Sequence, residues 1–242
     1  MKHKIFVLCI ALSVIICSCG INKAKTNSYL NIKSDKLDAL CVNPNVKYLT
    51  IELNRTKNKE LNLFQLKESF PHIIQLRIEN RDKEGSVSIV KVENMDSLQS
   101  IYMSDIGCDS LLVKNCGSLY RVNCSCNKMR WMKIDGCNKL SILSCNNNML
   151  KNVSLRNVNL RMINCTCNNI DTFILNSSVD IEELLIGHNP IDSSSVVEIP
   201  DKVSWITICP EDTILMQVFK NYRLDTIPFY CNECPYTINI SH

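Results

Sequence analysis

Histidine is scarce: there are four in 242 residues. His3 lies near the start, His242 closes the chain, and only His72 and His188 fall between. No Ser-His-Asp or Cys-His set can be assigned from them, so hydrolytic and thiol-nucleophile chemistry has no sequence footing. An excess of charge is also lacking. Lys and Arg number 27 against 24 Asp and Glu. Setting aside Lys2 and Lys4 of the leader leaves 25 against 24, a balance of +1. No basic stripe survives, which removes the electrostatic footprint of a nucleic-acid binder. A second C-x-x-C is missing as well. Cys231-Asn-Glu-Cys234 stands alone, and Cys209 and His242 are the obvious completions of a four-ligand zinc site. A redox dithiol is the functional alternative, and a disulfide or a pair of quiet thiols the structural one. No enzymatic activity, cofactor or metal is expected.

A membrane-spanning run is absent too. The apolar stretch Ile5 to Ile16 is too short to cross a bilayer as a mature helix. Preceded by Met-Lys-His-Lys, it has the layout of a secretory signal over residues 1–18. Its end, Ile16-Cys17-Ser18-Cys19-Gly20, resembles a lipobox, with Cys19 as the residue that would be lipidated. That resemblance implies export and a lipid anchor, with no spanning segment. Residues 19–40 carry Lys, Asn and Ser without a sustained apolar period and read as a tether and N-terminal cap.

What the chain does have is repetition. One phrase recurs: apolar, two spacers, apolar, one spacer, apolar or Cys, two spacers, usually Asn. The regular copies start at Leu98, Leu119, Leu140, Leu160 and Ile181, at intervals of 21, 21, 20 and 21 residues. Val46, Ile73 and Val203 open three more copies at looser spacing, giving eight rungs within 41–208. A fixed period in this range marks a stacked repeat, each unit packing on its neighbours. The residues around Arg81 to Gly85 are surplus to the period and read as a surface loop.

The phrase L-x-x-L-x-[LC]-x-x-N resembles the leucine-rich repeat, in a short form similar to that of exported or lipid-anchored proteins of Gram-negative bacteria. The resemblance implies a right-handed solenoid or horseshoe with a parallel sheet on its concave face. The second half of each rung has no 3.6-residue period, so extended or 3₁₀ segments are expected on the convex side. Residues 209–242 leave the period and read as a C-terminal cap, with an amphipathic helix from Thr213 to Leu224.

Three residue classes follow from the register. Cys124, Cys145 and Cys165 take the sixth position and read as small buried hydrophobes rather than disulfide halves. Cys116 and Cys137 share another inward column, and Cys126 and Cys167 sit at the eighth position, partly exposed. Asn127, Asn148, Asn168 and Asn189 take the ninth, where an amide can serve backbone groups at a turn, as a structural ladder. The third and fifth positions point away from the core. They carry Tyr48, Arg77, Tyr102, Arg121, Asn123 and Trp205, residue types that anchor protein interfaces. The expectation is a lipid-anchored outer-membrane protein, surface-exposed or facing the periplasm. It would bind a protein, or a glycan, through its concave face and touch the membrane through its anchor alone. The alternatives are a structural envelope component without a dedicated ligand, and a thiol-redox protein acting through Cys231 and Cys234.

Overall fold

In a computed structural model, the described residues are 28–40, 42–53, 57–81, 83, 85–177, 180–192, 194–200, 202–208, 217 and 224–226. They form a strand-rich parallel β-solenoid with almost no helix. One sheet of ten strands runs its length. In spatial order these are β1 (Tyr29–Lys33), β2 (Tyr48–Glu52), β4 (Gln75–Glu79), β6 (Ser100–Tyr102) and β8 (Arg121–Asn123). They continue as β10 (Ile142–Ser144), β12 (Met162–Asn164), β14 (Ile181–Leu185), β16 (Val203–Ile208) and β17 (Leu224–Thr226). The eight repeat phrases supply the eight strands from β2 to β16.

The alternation of residue types explains why each phrase becomes a strand. In β2 the burial runs half-buried, buried, half-buried, buried, half-buried, with Leu49 and Ile51 inward. Register then stacks like on like. Leu49 pairs with Leu76, Leu76 with Ile101, and Ile101 with Val122. The column continues through Leu143, Ile163, Leu184 and Ile206. All eight are buried. A slip of one residue in any rung would turn this column to water. Each such side chain contributes about 1.5–3 kcal/mol when fully buried, so register is strongly held.

The second half of each rung is extended, and here the structure goes beyond the expectation. Those segments hydrogen-bond into sheets of their own. β3 (Lys57–Asn62), β5 (Ser86–Glu93), β7 (Ser110–Lys114) and β9 (Trp131–Asp135) form one. β11 (Asn152–Val158), β13 (Thr172–Ser177) and β15 (Val196–Glu198) form another. The pairing aligns Val90, Leu111 and Met132, and likewise Val92, Val113 and Ile134. The only 3₁₀ segment among the described residues, Ser34–Ala39, lies ahead of the regular repeat.

The irregular intervals have visible causes. The 27 residues between Val46 and Ile73 include one helical turn, α1 (Leu66–Ser69), which buries Leu66 beside Phe70. After β4 the chain makes a closed loop. Asn80 Nδ2 donates to Gly85 O at 2.7 Å, and Gly85 N donates to Asn80 Oδ1 at 3.2 Å. The sheet starts at Tyr29, within the stretch read as tether and cap, and Tyr29 stacks on Tyr48 at 4.5 Å. It ends at β17, so Leu224 is in a strand rather than at the end of a helix. The rest of the expected Thr213–Leu224 helix lies, Gln217 apart, outside the described residues.

Candidate functional site

A recurrent turn shapes the surface of the five regular rungs. At the eighth position the backbone is left-handed, with φ of 55°, 56°, 53°, 55° and 55° at Asp105, Cys126, Asn147, Cys167 and His188. This turn ends the strand and sends the chain toward the second sheet. Here the buried carbonyls and amides lose their ladder partners, and the ninth-position asparagine replaces them. Asn148 Nδ2 lies 3.1 Å from Cys124 O of the preceding rung and 3.0 Å from Cys145 O of its own. Its Oδ1 accepts from Met129 N at 3.0 Å. Asn127, Asn168 and Asn189 repeat the arrangement, all four buried. The links run from each side chain to the backbone of the rung before it. Where the ninth residue is Arg81 or Ile106 there is no such amide, and Asn127 reaches back to hold Ile106 N at 3.2 Å.

The sixth-position thiols Cys124, Cys145 and Cys165 are buried and free, as are Cys108, Cys116 and Cys137. Burial pushes the Cys145 thiol up to about 12 and holds Cys124 and Cys165 well above the ordinary range. Cys108 rises to about 11 for the same reason. Such thiols are inert at neutral pH. Cys126 and Cys167 are half-buried and disulfide-bonded, which the repeat spacing did not signal. Cys19, Cys209, Cys231, Cys234 and His242 lie outside the described residues, and with them the lipidation site and the C-x-x-C motif. Among the described residues no His, Cys, Asp and Glu cluster could hold a metal ion. No helix there is long and apolar enough to cross a membrane.

The outward face of the ten-stranded sheet carries the third- and fifth-position residues in two in-register rows. One passes through Tyr48, Gln75, Ser100, Arg121, Ile142, Met162, Glu183 and Trp205. The other passes through Thr50, Arg77, Tyr102, Asn123, Ser144, Asn164, Leu185 and Thr207. All reach solvent except Thr207, which is buried. Arg77 and Tyr102 come together: the guanidinium carbon stands 5.1 Å from the ring centroid. Tyr48 instead belongs with Tyr29, and Trp205 lies far along the row beside Glu183.

At Arg77 the face deepens into a basin of about 360 Å³. Tyr102 and Asn123 floor it, and Glu79, Arg81, Lys83 and Asp105 form its rim. The rim charges are paired off. Arg81 Nε lies 2.8 Å from Glu79 Oε2, a bond that raises the Arg81 pKa further. Lys83 Nζ lies 3.2 Å from Asp105 Oδ2, while Asp105 Oδ1 is buried without a hydrogen-bond partner. The sequence showed the loop and the face as separate features. It could not show that the loop folds back onto the face, because the Asn80–Gly85 closure has no periodic signature. A second basin, about 490 Å³, lies by Asp171, Asp192 and Val196. Its Asp192 carboxylate is already held by Ser194 N at 2.8 Å, and the hydrogen bonds from Ser194 lower its pKa.

The chain thus belongs to the class of parallel β-solenoids with a solvent-facing sheet of aligned polar and aromatic rows. Comparison with known proteins found no matching family model, no matching curated protein and no matching solved structure.

Proposed function

We propose that this chain is an exported, lipid-anchored leucine-rich repeat protein of a Gram-negative cell envelope. It is a non-enzymatic binding module, tethered to the outer membrane through Cys19, that recognises a protein, or else a glycan, on the concave face of a horseshoe. The ten-stranded sheet is that concave face, and residues 209–242 cap the far end. What supports this reading most is the outward face itself. Sixteen side chains stand in two rows at strand spacing, fixed by a backbone with no slack, and all but one reach solvent. Rigid presentation of Tyr, Arg, Asn and Trp lowers the ordering cost of association.

The test is photo-crosslinking in intact cells, with the cross-linker placed at Ser100 of the full-length protein. Specific adducts are expected with the wild type and are expected to vanish when Arg77, Tyr102 and Arg121 are all replaced by Ala. An unchanged adduct pattern in the triple variant overturns the reading.

A further inference from the structure

We propose that the basin at Arg77 is a docking site for the carboxylate of an extended acidic peptide. This deepens the concave-face reading and rests on it. The argument begins with charge. Among the described residues lining the basin, Arg77, Arg81 and Lys83 carry positive charge, and Glu79 and Asp105 negative. Glu79 is taken by Arg81 and Asp105 by Lys83. Arg77 forms no ion pair among the described residues; its one contact of this kind is with the Tyr102 ring. A guanidinium over an aromatic ring keeps its N–H edge free, and that edge is shaped for a carboxylate. One unit of negative charge completes the basin. A phosphate dianion would bring two, against a rim that already holds Glu79 and Asp105.

The next rungs say how the rest of the ligand lies. Arg77, Tyr102 and Asn123 are consecutive in register. Asn123 Oδ1 accepts from Ser104 Oγ at 2.8 Å and from Ser125 N at 3.2 Å. Both bonds fall on its oxygen, so its NH₂ is oriented and left as a donor. Two strand spacings separate this donor from Arg77, about 10 Å. An extended peptide covers that span in about three residues. An acidic side chain on Arg77 therefore places a main-chain carbonyl about three residues away within reach of Asn123.

The ring between them favours a peptide over a sugar. Arg77 comes from the preceding rung and covers one face of Tyr102. A pyranose, which binds by lying flat on an exposed aromatic face, meets the Arg77 guanidinium on this one.

The experiment uses the full-length protein and a fluorescein-labelled dodecapeptide of alternating Ala and Glu, read by anisotropy at low salt. The Ala-Gln peptide is the neutral control, and inorganic phosphate and oligogalacturonate are competitors. The Glu peptide is expected to bind and the Gln peptide not. Arg77→Gln is expected to weaken binding about tenfold or more, the loss typical of a charged hydrogen-bond partner. Lys133→Gln, on the second sheet, is expected to leave binding unchanged. Unaltered binding by Arg77→Gln overturns the site. If Met162→Glu abolishes binding in its place, the face stands and the contact lies farther along it. Failure of the Glu peptide to bind the wild type, or its displacement by phosphate or oligogalacturonate at lower concentration, overturns the peptide-carboxylate assignment. In either case the cross-linking experiment still decides separately whether the face binds at all.

Discussion

At the scale of single residues, the sixth-position cysteines show how little a thiol need act like one. Cys124, Cys145 and Cys165 follow Met103 and precede Ile186 in one inward column, filling space as small hydrophobes. Two of them also point Sγ toward a carbonyl of the next rung, Cys124 to Ser144 O at 3.4 Å and Cys165 to Leu185 O at 3.3 Å. Their burial couples stability to pH. A thiol held protonated in the folded chain but free to ionise when unfolded binds more protons folded than unfolded. Stability is then full below about pH 9 and falls as pH climbs toward about 12, the range between the ordinary value and that of buried Cys145. Urea unfolding of the fully reduced protein is expected to show a midpoint that declines steadily above pH 9. Replacing all three thiols by Ala is expected to flatten that decline, while a slope equal to the wild type's would remove these groups as its cause. Both the column and its burial were legible in the sequence, because position six repeats. The bonding of Cys126 and Cys167 was not, since covalent pairing depends on distances that a period does not carry.

At the scale of strands and turns, a second left-handed column governs where the second sheet ends. Asn94 and Asn115 have φ of 58° and 53°, and Gly136 follows at 65°. Asn115 Nδ2 donates to Asn94 Oδ1 at 3.0 Å, so the two amides lock adjacent rungs. Gly136 takes the next place in this column, where any side chain would crowd Asn115. A Cβ built there would sit 2.7 Å from Asn115 Oδ1 and 3.2 Å from its Cα. Gly136→Ala is therefore expected to destabilise the protein by about 1–3 kcal/mol, from left-handed strain and collision together. Adding Asn115→Gly should recover part of the loss, measured as non-additivity in a double-mutant cycle of urea unfolding. Strictly additive losses would mean that the collision is relieved elsewhere. The sequence disclosed strands wherever apolar residues alternate. It did not disclose that the second halves pair into two separate sheets, because pairing is set by how neighbouring rungs superpose. Nor did it place β1, whose Leu30 and Ile32 lack the rest of the phrase.

At the scale of the whole molecule, each rung touches only its neighbours, so cooperativity spreads along the stack rather than through a single centre. Rungs with two regular neighbours and an asparagine lock should open last. Hydrogen exchange read by mass spectrometry is expected to show the greatest protection in β8, β10 and β12, and the least in β1 and β15. Uniform protection from end to end would instead mean one all-or-none unit. The basin on this frame was half legible: Arg77, Tyr102 and Asn123 could be read off the register. Lys83 and Asp105 could not, because they meet through a loop tied back by Asn80. The asparagine lock also has a direction. Asn148 serves the carbonyl of Cys124 and the amide of Met129, both upstream of it, and never the reverse. As the chain is threaded out amino end first, the newest coil must wait with bare polar groups until the following score of residues arrives to close it. Assembly then works like a ratchet that always trails synthesis by one tooth. Any coil inserted with its own asparagine would lengthen the array and close the coil before it.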